Sequence, residues 1–255
     1  MSMQRLQILL LCACSSQLVW AEDTEDVQDM SDPLAVYTQV GMGVTDKGLN
    51  LKVGRSYDTG NPSTAAMNIF EVKGFLGKEI GWNDGRDNSI DSFRFRNFHA
   101  NYKNGRGRQI DVQYDVKNEI GNASYSFIQA IPKIGPVSLF PLLGAGLNFR
   151  NAVDDTGEHV GGYEVPGTFA VVGSYGQVSF TDKLWFNYNP MWFTTLSGSD
   201  EYTREGIEGG SSLLTHEVAL SYQASPRLSV RFFSNWSQNT DFKDGSHRLE
   251  FNYQI

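Results

Sequence analysis

Long hydrophobic runs are scarce in this 255-residue chain, which has a mean hydropathy of −0.35. After the first ~20 residues no segment is long and apolar enough to cross a membrane as a helix. The chain is 40% hydrophobic and its net charge is only −8, which excludes a disordered protein. These values fit a soluble protein. They also fit strands that alternate apolar and polar residues, because the two faces average out.

Cysteine is rare too, and both cysteines, Cys12 and Cys14, lie near the N-terminus. Arg5 precedes a short apolar run, and small residues up to Ala21 stand before an abrupt acidic stretch. This pattern predicts a secretory signal peptide over residues 1–21. The alternatives are an N-terminal anchor or core helix, and lipoprotein processing at Cys14. Cleavage after Ala21 leaves an exported chain without disulfides, which other interactions must stabilise.

Basic charge is also in short supply, with 21 Lys and Arg against 29 Asp and Glu. Much of the acidic excess lies between Glu22 and Asp32, and residues 22–33 are predicted to form a solvated acidic tail that ends at Pro33. The remainder is nearly balanced. No basic face is available, so nucleic acid is excluded as a partner.

The chain is rich in alternation with a period of two, which runs from residue 34 to residue 255. One face of the first such segment carries Leu34, Val36, Thr38, Val40, Met42 and Val44. This is the pattern of strands with one apolar face and one face in contact with water, and no stretch of comparable length has a helical period. About twelve strands (roughly ten to fourteen) are predicted, each near the ~9–11 residues that a tilted membrane strand needs. They lie at 34–45, 49–57, 67–77, 90–102, 108–117, 122–131, 137–149, 168–180, 183–196, 213–223, 227–237 and 246–255.

Short and long linkers alternate along the chain. Tight turns rich in Gly, Pro, Asn and Asp separate longer polar loops at 77–89, 151–167, 197–212 and 238–245. Short turns at one end and long loops at the other are typical of an all-β, transmembrane, antiparallel up-and-down β-barrel over residues 34–255. The short linker at 46–48 departs from this layout, because a long loop is expected there.

The two faces of the predicted strands differ in the way a membrane barrel requires. The apolar face carries aromatic residues near strand ends: Tyr57, Phe186, Trp192, Trp236, Phe251 and Tyr253. The other face is polar and rich in small residues: Gly41, Gly43, Gly144, Gly146, Ser174 and Gly176. A soluble sandwich or a lipocalin-like barrel is the alternative, in which the apolar face is the core and the exposed face is rich in charge.

The last strand ends in apolar or aromatic residues at every second position: Leu249, Phe251, Tyr253 and Ile255. This ending resembles the C-terminal signal of bacterial outer-membrane β-barrel proteins, in which the final residue is usually Phe or Trp. The resemblance implies a place in the outer membrane of a two-membrane bacterium, with outer-membrane lipids and the barrel-assembly machinery as partners. Twelve-stranded members include channels for acidic sugars or nucleosides and a phospholipase, but their specific motifs are not matched here.

Charged residues fall on the face predicted to line the barrel interior. They are Lys52, Glu71, Lys73, Arg94, Arg96, Asp111, Asp115, Lys117, Arg150, Glu217, Arg231, Arg248 and Glu250. Such charges either line a water-filled channel and set its selectivity or pair across strands and fill a narrow one. Both signs occur in similar number. The best candidates for basic strips are Arg94 with Arg96 and Arg231 with Arg248, while Asp111 and Asp115 on the next strand favour ion pairing.

Residues that carry out catalysis are not evident. His159 falls in a long loop, and His99, His216 and His247 fall in register with the apolar positions, away from the serines of the inner face. No zinc motif is present, and neither a cofactor nor a metal site is predicted. Acidic residues in the loops at 154–158 and 200–208 could attract calcium, although such loops are more often simply solvated.

Three functions follow from this architecture. The first is a passive, porin-like channel for small polar solutes. The second is a structural or surface-interaction barrel with a closed lumen, whose loops at 151–167 and 197–212 contact partners. The third is a lipid-modifying barrel enzyme, which ranks lowest because no His–Ser arrangement is predicted on the inner face.

Overall fold

A computed structural model describes residues 27–153 and 159–255 of the chain. The predicted signal peptide, Cys14, the first residues of the acidic tail and the acidic loop at 154–158 lie outside the described residues. The strands are β1 Gln39–Thr45, β2 Gly48–Tyr57, β3 Thr64–Phe75, β4 Ser92–Asn101, β5 Arg106–Asp115, β6 Ile120–Gln129, β7 Val137–Val153, β8 His159–Ser179, β9 Leu184–Tyr188, β10 Met191–Gly198, β11 Ser212–Ser225, β12 Leu228–Ser237 and β13 Ser246–Gln254. Two short helices are present in these residues, α1 Gly77–Ile80 and α2 Asp200–Glu205, together with a 3-10 turn at Phe242–Asp244.

The strands form one closed antiparallel barrel, because β1 pairs with β2 on one side and with β13 on the other. β9 and β10 both lie between β8 and β11, so they are two halves of a single barrel strand. The break falls at Asn189 and Pro190, since proline has no N–H to donate to a neighbouring strand. The barrel therefore has twelve positions, as predicted, and the predicted strand at 183–196 is divided in two.

The two ends of the barrel differ. At the terminus end, where β1 begins and β13 ends, the connections are short turns such as 226–227. The loop end carries the longer connections, including both helices, together with the short turn at 46–47. No helix in the described residues is long and apolar enough to cross a membrane.

The prediction that residues 151–167 form one long loop is wrong. β7 continues to Val153 and β8 begins at His159, so most of this segment is a β-hairpin that extends past its neighbours. Gly161 and Gly162 have positive φ, and the register shifts nearby. Glycines that resembled loop residues in the sequence therefore mark irregular places in strands.

The outer face is apolar, as predicted from the alternation. At the C-terminus Leu249, Phe251, Tyr253 and Ile255 are all exposed on the outside. Between them, Glu250, Asn252 and Gln254 are buried inside. In β8 the prediction that Ser174 and Gly176 lie on the inner face is wrong. They pair with outward residues of β7, and Tyr175 between them is the inward residue. Small residues occupy both faces of this strand, so its sequence does not reveal which residues face inward.

An apolar core lies inside the barrel near the terminus end. It consists of inward residues of five strands together with two residues that precede β1: Met67, Ile69, Phe98, Ala100, Ile128, Phe140, Leu142, Val171, Leu34 and Val36. The prediction that Leu34 and Val36 belong to an outward-facing strand is wrong, since β1 begins only at Gln39. The Asp32 carboxylate accepts a hydrogen bond from the Leu34 backbone N–H at 2.8 Å, in a turn that directs the chain inward.

The tight turn between β1 and β2 leads to a stability prediction. Gly48 has a φ of +129°, and a Cβ built there would collide with the Phe75 carbonyl oxygen. Gly60 has a φ of +73° but open space around it. We expect Gly48→Ala to cost about 2–4 kcal/mol in the free energy of unfolding, against about 1 kcal/mol for Gly60→Ala. Urea titration of the refolded barrels measures both, and equal losses would contradict the predicted steric collision.

Candidate functional site: the charged lumen

A group of charged side chains fills the middle of the barrel interior. This lumen charge cluster has six cations and four carboxylates: Lys52, Lys73, Arg94, Arg96, Arg231, Arg248, Glu71, Asp111, Glu217 and Glu250. Strand alternation directs each of them inward, since their sequence neighbours lie on the outer face. The cluster has two more positive than negative groups. Because the barrel wall has a low dielectric constant, the electrostatic effect of this excess is stronger than it would be on an open surface.

Most of the cluster is paired. Glu250 on β13 accepts from Lys52 on β2 at 2.7 Å and lies 3.0 Å from Arg248. This triad bridges β2 to β13 across β1, where Gly41 leaves room for it: a Cβ built on Gly41 would lie 2.9 Å from the Lys52 Cε. The small residues of the inner face are therefore required by the long charged side chains beside them.

A second set of pairs joins β3, β4 and β5. Glu71 accepts from Arg96 and from Lys73, the latter at 2.9 Å. Arg94 donates to both oxygens of Asp111, with Nε to Oδ1 at 2.9 Å. A fork of this kind fixes the guanidinium in orientation as well as position. The ion pairing with the next strand that the sequence indicated is present for Arg94 with Asp111, whereas Arg96 pairs with Glu71 on β3 instead.

Two members of the cluster have no ionic partner among the described residues. Glu217 accepts a hydrogen bond from the Asn189 side-chain amide at 2.9 Å, and the other is Arg231 on β12. Its guanidinium donates to the Ser221 hydroxyl at 2.9 Å and to the Asn187 side-chain oxygen at 3.0 Å. Among the described residues it makes no salt bridge. It also lies over the Phe233 ring, at 4.7 Å from the centroid, which partly compensates for the lack of a carboxylate. Arg231 is thus a fixed positive group held by neutral partners.

The other predicted lumen charges lie nearer the loop end. Asp115 borders the lumen at the end of β5, and Arg150 pairs with Glu164 at 2.6 Å in the extended hairpin. The prediction that Lys117 lines the lumen is wrong, because β5 ends at Asp115 and Lys117 is exposed in the turn that follows. The polar inward residues Asn187 and Asn189 were missed, since they lie beside the strand break.

A cavity of about 790 Å³ opens at the loop end, above the charge cluster. Its wall combines strand residues such as Asp111 and Asn122 with residues of α2 and the loop after it. Ser199 caps the N-terminus of α2, because its hydroxyl accepts a hydrogen bond from the Tyr202 N–H at 3.1 Å. The loop is thereby folded inward, where its carboxylates border the mouth of the cavity.

Tyr202 is the anchor of this loop. It is 4% exposed, and its ring lies against Gly167 and Gly198, where no larger residue would fit. The Asn148 side-chain amide donates to its hydroxyl at 3.1 Å. Burial raises the pKa of that hydroxyl. Sequence reasoning did not identify this residue, because a single tyrosine in a polar loop has no periodicity to reveal it.

At the terminus end, residues 29–38 cross the barrel interior; we call them the crossing segment. Ser31 accepts a hydrogen bond from Gln177 on β8 at 2.9 Å, and Leu34 lies close to Gly107 on β5. Met30, Leu34, Ala35 and Val36 are buried. A smaller cavity of about 220 Å³ remains between this segment and the charge cluster.

His99, His216 and His247 lie on the outer face, as predicted. His216 stacks against Trp236, with ring centroids 5.1 Å apart, and accepts or donates a hydrogen bond with Tyr188. His247 Nδ1 lies 2.9 Å from the Ser234 hydroxyl, a pair that the sequence did not indicate. Ser234 is only 1% exposed, so it is closed to a substrate. Within the described residues, no group of three or more His, Cys, Asp or Glu is placed to hold a metal ion.

Comparison with known proteins relates this fold to porins. No family model matches the chain, and no curated protein matches its sequence. A structure of the NanC porin matches with a TM-score of 0.54 at 7% identity, covering 86% of this chain and 100% of that one. A KdgM porin in complex with disordered oligogalacturonate matches with a TM-score of 0.46 at 11% identity, over 86% of this chain and 99% of that one. The predicted fold, a porin-like β-barrel of twelve strands, is confirmed.

Proposed function

We propose that the protein is an outer-membrane channel through which small polar solutes pass. The observation that carries this proposal is the lumen: a closed barrel with an apolar outside encloses a charged inner surface and a cavity of about 790 Å³ that is open at the loop end. A barrel that served only as an anchor has no need of charged groups inside, each of which is costly to bury. The similarity in fold to a porin supports the same function.

The outer surface and the C-terminal strand support the proposed location. Exposed apolar residues cover the outside of the strands, as contact with lipid requires, and aromatic residues lie among them. Leu249, Phe251, Tyr253 and Ile255 are exposed on β13 and the residue that follows it. We infer that they are read by the barrel-assembly machinery, and that outer-membrane lipids cover this face in the assembled protein.

Arg231 offers a direct test of the conducting path. We expect Arg231→Gln to shift the reversal potential in a salt gradient towards cation selectivity, because it removes a lumen cation without leaving a carboxylate unpaired. Arg55→Gln is the matched control, since Arg55 is exposed on the outer face of β2. Currents across a planar bilayer measure both. An unchanged reversal potential in Arg231→Gln, or an equal shift in the control, would contradict a path through the lumen.

A barrel with a closed lumen is the second candidate. The observation that favours it is the crossing segment, which occupies the terminus end of the interior. In that case the folded protein carries no current under any condition, and its loops at 197–212 and the β7–β8 hairpin act as contact surfaces. Bilayer recordings therefore distinguish the two functions.

A further inference from the structure

The crossing segment has the geometry of a plug. One side of it is held by Gln177 on β8 and by Gln223 on β11, whose amide donates to the Met30 sulfur at 3.3 Å. The other side reaches β5, where a Cβ built on Gly107 would lie 3.0 Å from the Leu34 Cδ2. In the twelve-position barrel β5 and β11 lie on nearly opposite walls. The segment thus spans the interior from wall to wall.

The barrel wall that contacts the crossing segment is apolar, as are the side chains of the segment that face it. Leu34 and Val36 pack into a patch of inward apolar residues that includes Met67, Phe98 and Ile128. Apolar side chains facing water inside a barrel lose the free energy that burial provides, so an empty lumen would leave this patch uncovered. The patch and the segment together therefore favour a closed state at the terminus end.

The segment is nevertheless separate from the sheet. Its backbone hydrogen bonds at 29–35 are internal turns, Asp32 N–H to Asp29 and Ala35 N–H to Asp32, at 3.2 and 3.0 Å. Residues 29–35 are attached to the walls by side chains, whereas the carbonyl of Thr38, at the end of the segment, accepts a hydrogen bond from the Ile255 N–H at 3.0 Å. Moving residues 29–35 away from the lumen breaks no strand pairing, so the barrel persists while the terminus end opens.

From this we propose that residues 29–38 form a displaceable plug that gates the channel, closing the terminus end when Leu34 and Val36 are seated and opening it when they leave. This gating rests on the proposed channel function. Such gating needs no change in the strands or in the charge cluster. It also explains why the loop end of the lumen holds a charged cavity, whereas the terminus end is apolar and occupied.

Single-channel recording of the full chain tests the plug in both directions. The variant Leu34→Asp with Val36→Asp places carboxylates against the apolar patch, and we expect the open probability to rise at least about tenfold, which needs a shift of only ~1.4 kcal/mol. Leu34→Ala with Val36→Ala provides a milder version if the charged variant folds poorly. Val27→Asp is the control, because Val27 is exposed and precedes the segment.

Locking the segment is the complementary experiment. Ser31→Cys with Gln177→Cys, in a background with Cys12→Ser and Cys14→Ser, is bridged by a short bifunctional thiol reagent, because the glutamine side chain spans a gap too wide for a direct disulfide. We expect the bridged protein to be silent and each single variant to conduct after the same treatment. A bridged protein that conducts like the unbridged one would overturn the plug and leave the channel function intact.

A thiol reporter separates failure of the plug from failure of the channel. Ala35 is 8% exposed, so Ala35→Cys reports whether the segment is seated: it reacts slowly with a bulky thiol reagent when seated and rapidly when displaced. Rapid labelling in the Leu34→Asp, Val36→Asp background together with higher current supports the gate. Rapid labelling without any current in a folded barrel overturns the proposed channel, and the gate with it.

Discussion

Glu71→Gln is expected to lower the free energy of unfolding of the barrel by about 3–5 kcal/mol, the range for breaking a buried ion pair from one side. Glu71 is 8% exposed and accepts from both Arg96 and Lys73, so its loss leaves two buried cations without their carboxylate. Urea unfolding followed by tryptophan fluorescence measures the change. Glu79→Gln is the control, because Glu79 is exposed in α1, and we expect it to stay within about 0.5 kcal/mol.

A double-mutant cycle shows whether this loss comes from the ion pairs. If Glu71 acts through Arg96, the variant Glu71→Gln with Arg96→Gln costs less than the two single changes combined. Strict additivity of the two losses would contradict the pairing. The same neutralisation of Glu71 raises the positive excess of the lumen charge cluster, so we expect its reversal potential to move towards anion selectivity, opposite to Arg231→Gln.

Tyr202→Ala is the second prediction with a large effect. Removing a buried aromatic side chain costs about 3–5 kcal/mol, and here it also frees the loop at 199–211 from the barrel wall. We expect the loop to cleave faster with a nonspecific protease and the single-channel conductance to rise, because α2 no longer lies over the 790 Å³ cavity. Tyr202→Phe keeps the ring against Gly167 and Gly198 and loses only the hydrogen bond from Asn148, worth about 1 kcal/mol.

Limited proteolysis of Tyr202→Ala, Tyr202→Phe and the unaltered chain separates anchoring from a general loss of structure. We expect rapid cleavage within residues 199–211 in Tyr202→Ala alone, with the rest of the barrel intact. Equal cleavage in Tyr202→Phe and Tyr202→Ala would show that the ring does not hold the loop.

The sequence sufficed for the barrel because strand alternation is local and repeats along the chain. Several inward charges on regular strands, such as Lys52 and Glu250, have apolar neighbours at both adjacent positions, so their face could be inferred without the structure. The same reasoning failed for Leu34 and Val36. They alternate as a strand does, but the turn at Asp32 directs them into the lumen, and no local pattern distinguishes an apolar residue that meets lipid from one that meets an apolar inner wall.

The parts of the site that sequence reasoning missed depend on contacts between distant residues. Tyr202 is buried because Gly167 and Gly198 leave space for its ring, and these two glycines come together through the pairing of β8 with β10. Tyr175 faces the lumen, although the small residues on either side of it suggested that they face the lumen instead. Register against β7 decides its direction, and register is a property of the pair of strands.

Single-channel recording shows whether the lumen of this barrel conducts. The unaltered full chain and the Leu34→Ala, Val36→Ala variant are reconstituted in a planar bilayer, with folding of each verified by its heat-dependent migration on a gel. We expect discrete current steps in both, with a higher open probability in the variant. Folded barrels that remain silent in both would contradict conduction through the lumen.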